Sequence, residues 1–149
     1  MSKKPHFLAQ YGNSTHLDKA LKSNDCEVIH AGAQNPKISK EHVGHLIDDK
    51  ENWVAHLGLS KNKSLSTEHV DKLADHPDNE VRDNALEHKN VSLSVFEKGL
   101  KNTDVSPYTH ETMIEHSPHI TKEHLTHVIN NDFDYTKDAV RLARKDWIP

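Results

Sequence analysis

The stretch Lys37–Leu46, KISKEHVGHL, returns as SLSTEHVDKL at Ser64–Leu73 and as HITKEHLTHV at His119–Val128. The shared pattern is an apolar residue, Ser or Thr, any residue, Glu, His, an apolar residue, and another apolar residue three positions on. Aligning the chain on the apolar residue after the histidine gives five anchors: Leu17, Val43, Val70, Phe96 and Leu125. Their spacings are 26, 27, 26 and 29. A period in this range marks a repeat array, in which each unit buries its apolar face against the next.

Each unit opens on a helical pattern. Val43, Leu46 and Ile47 lie at i, i+3, i+4, as do Val70, Leu73 and Ala74, Leu125, Val128 and Ile129, and Leu17, Ala20 and Leu21. That spacing makes one apolar stripe on a helix of two to three turns. Phe96, Gly99 and Leu100 fit with a glycine defect, and Val95 stands where the other units have histidine. Ser39, Ser66, Ser92 and Thr121 sit at the N-cap, where a side-chain oxygen accepts from orphan backbone N–H groups. Glu41, Glu68 and Glu123 follow in the first turn, where the helix dipole favours negative charge. Ile38, Leu65, Val91 and Ile120 precede the caps and are expected to pin the loops to the core.

A second helix follows an acidic turn in each unit. In DNEVRDNALEH (Asp78–His88) the apolar face is Val81, Ala85 and Leu86. The matching sets elsewhere read as Val28, Gly32, Ala33 and as Val54, Gly58, Leu59. The small middle residues suit close backbone approach. Ala139, Val140, Leu142 and Ala143 are expected to form a closing helix with Trp147 over the end of the stack. The expected fold is therefore all-α: a short helical-repeat solenoid of about five two-helix units of ~27 residues. One domain covers 1–149, with units near 13–34, 35–60, 61–87, 88–115 and 116–149.

HVDKLADHPDNEVRDNALEHKNVS (His69–Ser92) resembles the leucine-rich repeat variant unit, a HEAT-like short helical repeat, and AGAQNPKIS (Ala31–Ser39) carries its inter-unit Asn-Pro. The resemblance is sharpest over Val70–Val91 and looser over Leu17–Arg144. It implies a right-handed helical solenoid. It also brings an iron–sulfur domain described in that family, but the cysteines that would hold it are lacking, so no cofactor is expected.

Composition narrows the function. Cys26 is the single cysteine, so an internal disulfide and a Cys-cluster metal site are excluded, and a reducing cytoplasm is the expected setting. No apolar run is long enough to span a membrane. The N-terminal MSKKPHFLAQ has no apolar core segment, so no secretory signal is expected. The net charge of −4 disfavours generic nucleic-acid binding, which rests on phosphate neutralisation.

The 14 histidines make the chain turn basic near pH 6. His42 and His45, His116 and His119, and His124 and His127 are i, i+3 pairs that share a helix face. No third ligand accompanies them, so no native metal site is expected. Cys26 opens a helix, where a thiol's pKa can fall, but reads as a small half-buried turn residue. No phosphate loop or nucleophile motif is present, and no enzyme is expected.

Two charged edges remain. The turns inside the units carry Asp25 and Glu27, then Asp48, Asp49 and Glu51, then Asp75, Asp78 and Glu80, then Asp104, then Asp132 and Asp134. The loops between units carry Lys37, Lys61, Lys63, His88, Lys89, His116 and His119. Some of the acids are expected to be N-caps. The favoured role is an adaptor or inhibitor that docks another protein through the acidic edge at Asp48, Asp49, Glu51, Asp75, Asp78 and Glu80. The alternative is nucleic-acid binding by Arg141, Arg144 and Lys145 with the loop cations.

Overall fold

A computed structural model of the chain describes residues 3–130, and its side chains over 7–126. Among the described residues there are ten α-helices and no strand: α1 (Lys3–Tyr11), α2 (Ser14–Leu21), α3 (Cys26–Ala33), α4 (Lys40–Asp48), α5 (Trp53–Ser60), α6 (Thr67–Leu73), α7 (Asn79–Leu86), α8 (Leu93–Lys101), α9 (Pro107–His116) and α10 (Lys122–Asn130). The fold is all-α, and no described helix is long and apolar enough to cross a membrane. Helices of seven to ten residues are too short to be stable alone in water. Packing therefore holds them.

The odd-numbered helices lie against one another in order, α1 on α3, α3 on α5, α5 on α7, and α7 on α9. The even helices α2, α4, α6 and α8 each pack on the odd helix that follows, and α4 also meets α6. All five anchors are buried: Leu17, Val43, Val70, Phe96 and Leu125. One apolar cluster runs from Ala33 to Leu125, and Leu65, Val91 and Ile120 join it from the loops with Ile38 packed at its margin. Ser39, Ser66 and Ser92 are N-caps, and Thr121 Oγ1 accepts the His124 N–H at 3.3 Å.

Three features depart from the sequence reading. Helix α1 precedes the first expected unit and packs on α3 through buried Ala9. In α5 the N-cap is Asn52, so the buried register is Ala55 and Leu59 while Val54 is only half-buried. Around Phe96 there is no defect in packing. Val95 packs against the core, and a Cβ on Gly99 would lie 2.5 Å from Leu86 Cδ2, so the glycine makes room for that leucine. The expected closing helix and Trp147 lie outside the described residues.

Candidate docking edge

The turns that lead into the odd helices are built by their caps. Asp25 Oδ1 accepts the Glu27 N–H at 2.9 Å, Asn52 Oδ1 accepts that of Ala55 at 3.3 Å, and Ser106 Oγ accepts that of Thr109 at 3.1 Å. Asp78 Oδ1 takes two, from Glu80 at 2.9 Å and Val81 at 3.1 Å. Asp78 is thus the cap of α7 and half-buried, which sets it apart from the other expected docking residues. Asp48, Asp49, Glu51, Asp75 and Glu80 are exposed. Asp49 also accepts the Glu51 N–H at 3.3 Å. Asp75 lies 3.7 Å from Lys98 Nζ with both side chains 79% exposed, and Glu80 lies 4.0 Å from Lys61 Nζ. Such exposed pairs hold their partners weakly and leave the carboxylates available.

Two large aromatic side chains stand on the same edge. Trp53 opens α5 at 46% exposure, and Tyr108 lies in the first turn of α9 at 71%. Successive turns are tied to one another. The Trp53 and His76 rings meet edge-on at 5.0 Å, Arg82 donates to the Asp104 carbonyl at 3.0 Å, and the Ser106 N–H donates to Asp83 Oδ2 at 3.3 Å. Sequence reasoning missed both aromatics. The available signal was their position, one and two residues after the caps Asn52 and Ser106, where a helix's first turn faces outward.

Behind Trp53 lies a histidine pair. The Asp78 N–H donates to His76 Nδ1 at 2.9 Å, so that nitrogen carries no proton. His76 Nε2 then donates to His56 Nδ1 at 3.0 Å, and His56 Nε2 donates to the Leu46 carbonyl at 2.7 Å. His56 is fully enclosed. Burial holds the pKa of His76 below the ordinary histidine value, with His56 and Lys50 adding to the shift and Asp78 opposing it.

The recurring histidine is a capping residue. His16, His42, His69 and His124 occupy the third helical position, and each turns Nδ1 back to the cap, at 3.2 Å to the Asn13 N–H, 3.0 Å to Ser39 Oγ, 3.2 Å to Ser66 Oγ and 3.1 Å to the Thr121 N–H. At His16 and His124 it does the work of the Glu or Gln in a capping box, while at His42 and His69 it meets the cap hydroxyl instead. The second nitrogen looks to the preceding unit: His42 Nε2 to Asp18 at 3.1 Å and His124 Nε2 to Glu97 at 3.0 Å. The position of those carboxylates is filled by Gly44 before His69, and burial lowers the His69 pKa. It is filled by Asp71 before Val95, and Asp71 accepts the Ser92 N–H at 3.0 Å instead. His119 is a loop residue whose Nε2 donates to the Val91 carbonyl at 2.6 Å.

The opposite edge is a ladder of side chains bridging the loops. Buried Asn35 donates to the carbonyls of Ala9 and Gly12 at 2.9 and 3.1 Å, and Asn62 to those of Ala33 and Asn35 at the same distances. His88 Nε2 donates to the Asn62 carbonyl at 2.9 Å. Each accepts an N–H from two residues on, at Lys37, Ser64 and Asn90. Beside it, Lys61, Lys63 and Lys89 line an open groove of about 480 Å³ between the C-terminal ends of α5 and α7, with Glu87 at its wall. Burial pushes the Glu87 carboxyl up, against hydrogen bonds from Thr109 and Thr112. Cys26 is exposed as the first residue of α3 rather than half-buried. Arg141, Arg144, Lys145, Asp132 and Asp134 lie outside the described residues.

No family model matches this sequence, and no curated protein or solved structure is similar to it at a significant level.

Proposed function

We propose that the chain is a non-enzymatic docking module: a short solenoid of about five two-helix units that binds a basic protein through its acidic, aromatic edge. The succession of odd helices and the loop ladder support the solenoid reading. The observation that carries the docking reading is the exposure of Trp53 at the start of α5 and Tyr108 at the start of α9, along the turns that carry the exposed carboxylates Asp48, Asp49, Glu51, Asp75 and Glu80. Aromatic residues are enriched at protein interfaces, where they supply contact area at low entropic cost. Surface carboxylates steer an oppositely charged partner, and their pattern with the interspersed Lys50, Lys61 and Lys98 sets register. An adaptor or an inhibitor would use such an edge in the same way.

The test is affinity capture from native lysate, treated with nuclease, using three baits: wild type, the Asp49→Lys, Glu51→Lys, Glu80→Lys variant, and Tyr108→Ala. Asp78 is left alone because its loss would uncap α7. The expected outcome is a stoichiometric basic protein on the wild type, absent from the charge-reversed bait and depleted on Tyr108→Ala, with melting temperatures unchanged. Equal capture by all three baits would overturn the edge assignment.

A second reading is phosphate contact through Lys61, Lys63 and Lys89, which share one groove, joined by Arg141, Arg144 and Lys145. It predicts capture that disappears with nuclease and binding that weakens steeply with salt. The net charge of −4 weighs against it.

A further inference from the structure

We propose that the His56–His76 pair is a proton-operated latch on the docking edge: it holds the turn before α7 and the Trp53 ring in place only while both imidazoles are neutral. The proposal rests on the edge being the binding surface, and it names that surface's regulation.

The geometry leaves no room for an added proton. All four ring nitrogens are occupied in one directional chain, from the Asp78 N–H through His76 and His56 to the Leu46 carbonyl. A proton added to His76 must go on Nδ1, which faces the Asp78 N–H at 2.9 Å. One added to His56 must go on Nδ1, which faces the His76 N–H at 3.0 Å. Either places two donors head to head, and a lone hydrogen-bond loss is compounded by charge. Switching the tautomer of one ring only moves the conflict to the other.

The surroundings favour the neutral state. Lys50 acts on His76 from the turn before α5, and Lys98 from α8 lines the groove that His76 shares with Asp75 and Arg82. Asp75 lies beside Lys98, Arg82 is held by Asp83, and Asp78 is committed to capping α7. The relief available is for His76 to swing out. That breaks its edge contact with Trp53, leaving the indole held at its N–H on the Lys50 carbonyl at 3.0 Å, and frees the backbone of Asp78, so the environment of Trp53 and the positions of Asp75 and Glu80 change together. The added positive charge also weakens the edge for a basic partner. Both effects release the partner as pH falls, and histidine is the side chain suited to this range.

The test uses the free protein, so its result is independent of whether the edge binds anything. In a Trp147→Phe background Trp53 is the sole tryptophan. Its emission and the far-ultraviolet dichroism are followed from pH 7.5 to 4.5. The expected result is a Trp53 transition below pH 6.5 that precedes loss of helix. His76→Asn keeps an acceptor for the Asp78 N–H, as Asn35 and Asn62 do two residues before their donors, and His56→Gln keeps a donor for Leu46. Neither titrates, and in either variant the early transition should vanish. A Trp53 signal that stays flat, that changes only with global unfolding, or that persists in both variants would overturn the latch. Loss of the transition in the variants with unchanged partner capture at every pH would keep the latch and remove the docking reading.

Discussion

Asn62 shows how one side chain can hold two units together. It is 2% exposed and satisfies three backbone groups: the carbonyls of Ala33 and Asn35 and the N–H of Ser64. Removing the amide strips the Ala33 carbonyl and the Ser64 N–H of this partner, while the Asn35 carbonyl keeps the Ile38 N–H at 3.1 Å, at about 1–3 kcal/mol for each group that water cannot reach. Asn62→Ala should therefore cost about 2–4 kcal/mol. Asn52→Ala removes an N-cap whose loss costs about 1 kcal/mol. Urea unfolding of the two variants should rank them in that order, and equal losses would show that the ladder does not bear on stability. The caps Ser39 and Ser92 were legible because Ser before an apolar-periodic run has one common meaning. The ladder was not, because Asn in a loop reads as a turn former. Its signal lay in the spacing of Asn35, Asn62 and His88, 27 and 26 residues, which repeats the spacing of Val43, Val70 and Phe96.

Helix α5 is the one that a glycine brings onto the backbone of another helix. A Cβ on Gly58 would lie 2.6 Å from the His30 carbonyl oxygen and 2.7 Å from Ala33 Cβ, so α5 touches the backbone of α3. Gly44 in α4 has nothing within 4 Å of the same position. The two glycines should respond oppositely to alanine. Gly44→Ala gains helix propensity, up to about 1 kcal/mol. Gly58→Ala makes the same gain but must push α5 away from α3, and overpacking of this kind costs about 1–3 kcal/mol. Chemical denaturation should show the first stabilised and the second destabilised, and stabilisation of both would refute the close approach. The stripes around Val43, Val70 and Leu125 made the even helices readable. The register of α5 slipped by one because the turn from Asp48 to Glu51 holds an extra residue before its cap. Helix α1 went unseen because Lys3–Tyr11 has a proline in its first turn and no strong stripe. Proline is tolerated there, and the helix owes its place to Ala9 against α3 and to the Asn35 amide on the Ala9 carbonyl. The acidic edge was visible as composition, whereas Trp53 and Tyr108 needed the turns to be placed before their exposure meant anything.

At the scale of the whole molecule, five of the described histidines couple folding to pH in one direction. Burial lowers the pKa of His30, His69, His76, His88 and His110 below the ordinary value of 6.5. As pH falls below 6.5 the unfolded chain takes up protons at these sites before the folded chain does. Stability is then lost as pH falls and is fully present at neutral pH. Glu87 works the other way, since a raised carboxyl pKa lets the folded state bind its proton first, but one carboxylate titrating lower on the scale does not offset five histidines. The melting temperature should therefore fall steadily from pH 7 to pH 5. His88→Asn gives the sharper test, because asparagine already fills the same place in the ladder at Asn35 and Asn62. That variant keeps a donor for the Asn62 carbonyl and an acceptor for the Asn90 N–H while removing one titrating group. Its stability at pH 7.5 should stay close to wild type. Its slope against pH should be shallower by up to about 1.4 kcal/mol per pH unit, the contribution of a single proton. An unchanged slope would mean that His88 is as easily protonated in the folded protein as in the unfolded chain, and the ladder would then have no part in the pH response.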